Sequence, residues 1–136
     1  MASSNDEPPG TGAVDLNGLR ILLVEDSWHL GVAMQRLLRV CGADVIGPAA
    51  TTADAERLIS DHAPDVALID VNLRGGELAY GMIDRLHDRG IRVVVVSGYA
   101  DVSLAPVKAA AILQKPVSEA ELLASLRPTT AGKVAR

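Results

Sequence analysis

Short apolar runs in this chain give way, one after another, to residues able to do chemistry. Residues 19–24 (LRILLV) are followed by Glu25 and Asp26, and residues 66–69 by Asp70, with Asn72 two positions on. Residues 91–96 (IRVVVV) end at Ser97, and the run 110–113 leads into Lys115 and Pro116. Carboxylates gathered at one edge repel and raise one another's pKa unless a cation sits among them. A hard divalent ion suits such oxygens, and Mg²⁺ suits them best, because it accepts few protein ligands and keeps several waters. A metal with open water positions also binds phosphoryl oxygens. Lys115 offers a point charge and Ser97 a hydroxyl, both suited to a tetrahedral anion. Such a set is equipped to hold a phosphoryl group on one carboxylate, with transfer resting on positioning and charge neutralisation. That chemistry exists only if the fold brings the segments to one place.

Periodicity supplies such a fold. The runs at 19–24, 43–47, 66–69, 91–96 and 110–113 have the length of buried strands, and the successive valines of the fourth suit a strand covered on both faces. Helical faces lie between them. One is Leu30, Met34, Leu37, Leu38 and Cys41, closed by Gly42; a second is 53–60, with Thr51 or Thr52 as N-cap. A third is Leu78, Met82, Ile83 and Leu86, closed by Gly90. Residues 118–121 (SEAE) have the form of a capping box opening a last helix with Leu122, Leu123 and Leu126. Strands interleaved with helices predict an α/β domain, a doubly wound five-stranded parallel sheet with right-handed crossovers. The crossover after Ser97 begins with Gly98 and contains Pro106, so a fourth helix there is expected to be short or irregular. In an open parallel sheet, ligands bind beyond the carboxyl ends of the strands. Glu25, Asp26, Asp70, Ser97 and Lys115 all fall there, whereas the second run ends in Gly47-Pro48, with no chemistry.

Composition narrows the function. Thirteen Lys and Arg against seventeen Asp and Glu leave a net charge of −4 over 136 residues, which argues against general binding to nucleic-acid phosphates. Apolar residues form 49% of the chain, enough for a sizeable core. The aromatics are only Trp28, Tyr80 and Tyr99, so stacking platforms are poorly supplied. A single cysteine, Cys41, fits a reducing compartment and reads as helix packing. There is no run long enough for a membrane span, and the first positive side chain is Arg20, so a basic secretory start is also missing. A cytoplasmic location is expected. Residues 1–18, rich in Ser, Pro, Gly and Asp, read as a flexible leader, 19–127 as one domain, and 128–136 as a tail.

The motifs LLVED at 22–26, LIDVNL at 68–73, VVVVSG at 93–98 and QKP at 114–116 together resemble the receiver domain of two-component response regulators. The resemblance covers residues 19–126 and implies a flavodoxin-like fold with strand order 2-1-3-4-5. It implies that Asp70 is the phosphoacceptor for a histidine kinase, and that the chain is not an enzyme beyond slow self-dephosphorylation. Asp26 and Asp70 would ligate Mg²⁺ directly, with the backbone carbonyl of Asn72 as a third ligand and Glu25 reaching the metal directly or through water. Ser97 would be the switch hydroxyl, Lys115 would contact the phosphoryl group, and Lys115–Pro116 would be cis. Relatives usually carry Tyr or Phe three residues before the lysine, where this chain has Ile112. Residues 95–99 (VVSGY) resemble a degenerate form of the FAT GUY signature, whose bearers are often stand-alone and paired with an HWE-type or related kinase. With no ring at Ile112, the switch motion is expected to leave through Gly98 and Tyr99, a hinge-capable residue followed by the one aromatic near the site. The resemblance names no downstream protein, and it leaves open dimerisation on phosphorylation and whether the chain is part of a longer protein.

Plainer readings stand beside these. Asp26 could cap the helix that follows, and Asn72 could be a turn residue. Ser97 and Lys115 taken singly are ordinary strand-end groups. Trp28 is expected to pack at the start of the first helix, and His29, His62 and His87 to lie on the surface. Tyr99 divides evenly between an exposed loop residue and a functional contact. A flavodoxin-like cofactor binder would share the fold, but Glu25-Asp26 would repel its phosphate and no Gly-rich phosphate loop is present. A phosphohydrolase of the haloacid dehalogenase type needs a second Asp where Asn72 stands. A receiver that docks without phosphorylation, or that serves as a phosphate sink, is the remaining alternative.

Overall fold

The computed structural model describes residues 15–70, 80–98 and 109–127. In chain order the elements are β1 (Arg20–Val24), α1 (Trp28–Val40), β2 (Asp44–Ala49), α2 (Thr52–Asp61), β3 (Val66–Asp70), α3 (Tyr80–Asp88), β4 (Arg92–Ser97), β5 (Ala111–Gln114) and α4 (Glu119–Leu126). The strands form one sheet in the order β2-β1-β3-β4-β5, and every pairing is parallel. This is the order expected. The crossover from β4 to β5, where an irregular helix was expected, lies largely outside the described residues.

Alternation along the inner strands divides the core in two. Leu22, Val24, Ala67, Ile69, Val93 and Val95 face Ala55 and Ile59 of α2 and Met82, Ile83 and Leu86 of α3. Ile21, Leu23, Val66, Leu68, Val94 and Val96 face Leu38 of α1 and Leu122, Leu123 and Leu126 of α4. The four valines of β4 are buried on both sides of the sheet, as their sequence requires. Each fully buried aliphatic side chain contributes roughly 1.5–3 kcal/mol.

Local signals place the helix starts. Thr51 caps α2, its side chain accepting from the Asp54 N–H, and Ser118 and Glu121 form the reciprocal capping box of α4. Ser27 caps α1, its side chain accepting from the Leu30 N–H, so Asp26 is not needed for that task. Two expectations are corrected. The leader was expected to run through Gly18, but Leu16 is 1% exposed in the second core, and its N–H donates to the Cys41 carbonyl at 2.9 Å. The packed unit therefore starts before residue 19, while residues 1–14 lie outside the described part. Trp28, expected to pack, is the first residue of α1 and is 72% exposed.

Candidate functional site

The carboxyl ends of β1, β3, β4 and β5 meet at one edge. Asp70 is the last residue of β3 and pairs in register with Val96, so Ser97 stands one residue beyond it on β4. Ser97 pairs with Gln114, and its carbonyl accepts from the Lys115 N–H at 2.8 Å, which anchors the backbone carrying the lysine. Glu25 follows β1, and its N–H donates to the Ala49 carbonyl at 2.8 Å. The side chains converge accordingly. One carboxylate oxygen each from Glu25, Asp26 and Asp70 lies within 4.8 Å of the others, and Lys115 Nζ donates to Asp70 Oδ2 at 3.2 Å. Glu25, Asp70 and Ser97 are buried, Asp26 is half-buried, and Lys115 reaches in from the rim.

Charge explains what the arrangement lacks on its own. Glu25 has its pKa raised from the ordinary 4.5 to about 7, first by burial, then by the nearby Asp70 charge and a hydrogen bond shared with that carboxylate. The Ser27 N–H, which donates to Glu25 Oε2 at 3.1 Å, and the Lys115 charge pull the other way but do not prevail. Among the described residues, three carboxylates against one ammonium leave an excess of negative charge at this edge. The donor set is all hard oxygen, which fits a divalent cation of the Mg²⁺ kind.

The structure thus brings together Glu25, Asp26, Asp70, Ser97 and Lys115. Gly98 lies beside them, with the Lys115 stem 3.9 Å from where its Cβ would be. Lys115–Pro116 is cis, and so is Gly47–Pro48. Asn72 and Tyr99 lie outside the described residues. Sequence reasoning missed two features. A groove of about 480 Å³ beside Lys115 is lined by Leu30, Met34, Val96, Pro116 and Val117. The second feature is that Gly47-Pro48, dismissed as chemically empty, rests against α1 close to Glu25. A glycine inside the helical pattern, Gly31, was the available signal for that contact.

Comparison with known proteins agrees with this geometry. The family model described as the response regulator receiver domain matches residues 21–127. The solution structure of SdrG from Sphingomonas melonis Fr1 is similar at 32% identity and TM-score 0.67, covering 80% of this chain and 96% of that one. A response regulator from Burkholderia pseudomallei, solved with a phosphorylated aspartic acid, calcium ion and citrate, is similar at 25% identity and TM-score 0.72, covering 86% of this chain and 71% of that one. PhyR from Brucella abortus shares the fold, with TM-score 0.75 at 21% identity over 91% of this chain and 54% of that one. None of the curated proteins compared matches the chain. With its parallel sheet in the order 2-1-3-4-5, its acidic edge and the family match across most of its length, the chain belongs to the response regulator receiver domain family.

Proposed function

We propose that Asp70 accepts a phosphoryl group from a phosphohistidine of a histidine kinase. The observation that carries this is the buried Asp70 carboxylate, held by Lys115 Nζ at 3.2 Å and flanked by Glu25 and Asp26. An Asp70 oxygen attacks phosphorus, forming an O–P bond as the P–N bond to the donor imidazole breaks. Glu25, Asp26, Asp70 and the Asn72 carbonyl would hold Mg²⁺, which when bound supplies charge neutralisation for the phosphoryl oxygens. Lys115 neutralises a phosphoryl oxygen from the side of β5, and the Ser97 hydroxyl, at the end of β4, donates to another. Receiver domains are generally phosphoacceptors rather than classical enzymes, which supports this reading; slow self-dephosphorylation belongs to the proposal.

The phosphorylated state then signals to a protein partner, here read as an unidentified downstream protein, with an HWE-type or related kinase upstream. Ile112, where relatives carry a ring, is 41% exposed and has no hydroxyl, so we assign the response to Gly98 and Tyr99. The proposed setting is cytoplasmic; among the described residues no helix is long and apolar enough to cross a membrane. The test is incubation with acetyl phosphate and Mg²⁺, read by intact mass. One stable phosphoryl group on wild type, and none on Asp70→Asn or in EDTA, is the expected outcome. Retention of FMN, multiple-turnover hydrolysis, or labelling of Asp70→Asn at the wild-type rate would each overturn it.

A further inference from the structure

Gly47 and Pro48 carry no functional group, yet they close over the first turns of α1. Gly31 is buried there, and a Cβ at this position would lie 3.1 Å from both Cβ and Cγ of Pro48 and 3.8 Å from Cγ of Glu25. Any larger residue would press on the proline ring beside the stem of the carboxylate. Gln35, one turn further along α1, donates from Nε2 to the Gly47 carbonyl at 3.0 Å. Gly47 has φ +103°, and a Cβ there would meet the Leu23 carbonyl oxygen at 2.6 Å, so this stretch lies directly on β1.

Both sides of Glu25 are tied to this contact. Its N–H donates to the carbonyl of Ala49, the residue after Pro48, at 2.8 Å. Its Oε2 accepts from the Ser27 N–H at 3.1 Å, and the Ser27 carbonyl accepts from the Gly31 N–H at 2.8 Å. A glycine inside a helix costs about 1 kcal/mol relative to alanine. The close approach of Pro48 is the compensating reason for it in α1.

We propose that Gly31 and Gln35 are positioning residues for the Glu25 carboxylate. By seating Gly47-Pro48 against α1, they fix where that carboxylate stands relative to Asp26 and Asp70, and so set the cation affinity of the site. The inference rests on the reading of Glu25 as a cation ligand. Groups that orient a ligand commonly change metal affinity by roughly 10–100-fold, and residues acting one contact further out belong at the low end, about tenfold.

The test is Mg²⁺ titration of the full chain by calorimetry, with thermal unfolding in EDTA alongside. The variants are Gly31→Ala, Gln35→Met, Glu25→Gln, and each of the first two combined with Glu25→Gln. Gln35→Met keeps side-chain length at a half-buried position and serves if Gly31→Ala fails to fold. The expected result is about tenfold weaker Mg²⁺ binding in Gly31→Ala and in Gln35→Met, a loss at least as large in Glu25→Gln, and no further loss when either is added to Glu25→Gln. In Gly31→Ala and Gln35→Met, phosphoryl uptake at saturating Mg²⁺ should stay at the wild-type rate. A lowered melting temperature with unchanged Mg²⁺ affinity would overturn the proposal, as would the same loss persisting in the Glu25→Gln background. If Glu25→Gln alone binds Mg²⁺ like wild type, the ligand reading of Glu25 fails and the proposal fails with it.

Discussion

Glu25→Gln should make the metal-free protein more stable above neutral pH. In the folded chain the carboxyl has a pKa of about 7 against an ordinary 4.5. Because the folded value is raised, the protein is least burdened below pH 4.5 and loses stability as pH climbs through about 7. At about 1.4 kcal/mol per tenfold, the ionised group costs up to about 3 kcal/mol at pH 8 and less than about 1 kcal/mol at pH 5. The amide removes that charge, its oxygen can still accept from the Ser27 N–H, and its NH₂ can donate towards Asp70. Thermal unfolding in EDTA should therefore show a melting temperature raised by roughly 10 °C at pH 8 and nearly unchanged at pH 5. Mg²⁺ should reverse the ranking, since it stabilises wild type by occupying the site that the variant has weakened. Wild-type Mg²⁺ affinity should also fall as pH drops below about 7, where a proton competes for Glu25, and this dependence should flatten in the variant. A variant no more stable than wild type at pH 8 without metal would refute the reasoning, and so would a pH-independent offset.

Lys115→Ala should still take up phosphate from acetyl phosphate, more slowly, while losing the phosphorylation-induced change in amide NMR spectra, because the tie between Asp70 and β5 is gone. A full spectral response would deny Lys115 a switching role. Arg92→Met should cost roughly 2 kcal/mol in urea unfolding, because the guanidinium donates to the Ser125 and Leu126 carbonyls at the end of α4 at 3.0 and 2.6 Å. Loss of less than about 0.5 kcal/mol would mean that water replaces those bonds without penalty.

How far the sequence carried depends on the range of the interactions involved. The valines of β4 announced a strand covered on both faces, and the Ser118–Glu121 pairing announced the start of α4, because both signals are local. The meeting of Glu25, Asp26, Asp70, Ser97 and Lys115 was legible because a parallel sheet places all strand ends of one sense at one edge. Leu16 was not legible: a lone apolar residue in a polar stretch gives no periodicity, and its place depends on a bond back to Cys41. Trp28 misled because an aromatic next to a helix start suggests packing, whereas what covers it is decided by tertiary contacts, and here it is exposed. Gly47-Pro48 was dismissed because its importance lies in distances to Gly31 and Leu23, which are tertiary.

The central claim is that Asp70 itself carries the phosphoryl group. Borohydride reduces an aspartyl phosphate to homoserine and leaves free aspartate untouched. Treating the acetyl phosphate-labelled protein with borohydride and sequencing its peptides by mass spectrometry identifies the acceptor directly. Homoserine is expected at position 70, dependent on Mg²⁺ and absent without phosphodonor. Homoserine at Asp26 or another aspartate, with position 70 unmodified, would contradict it.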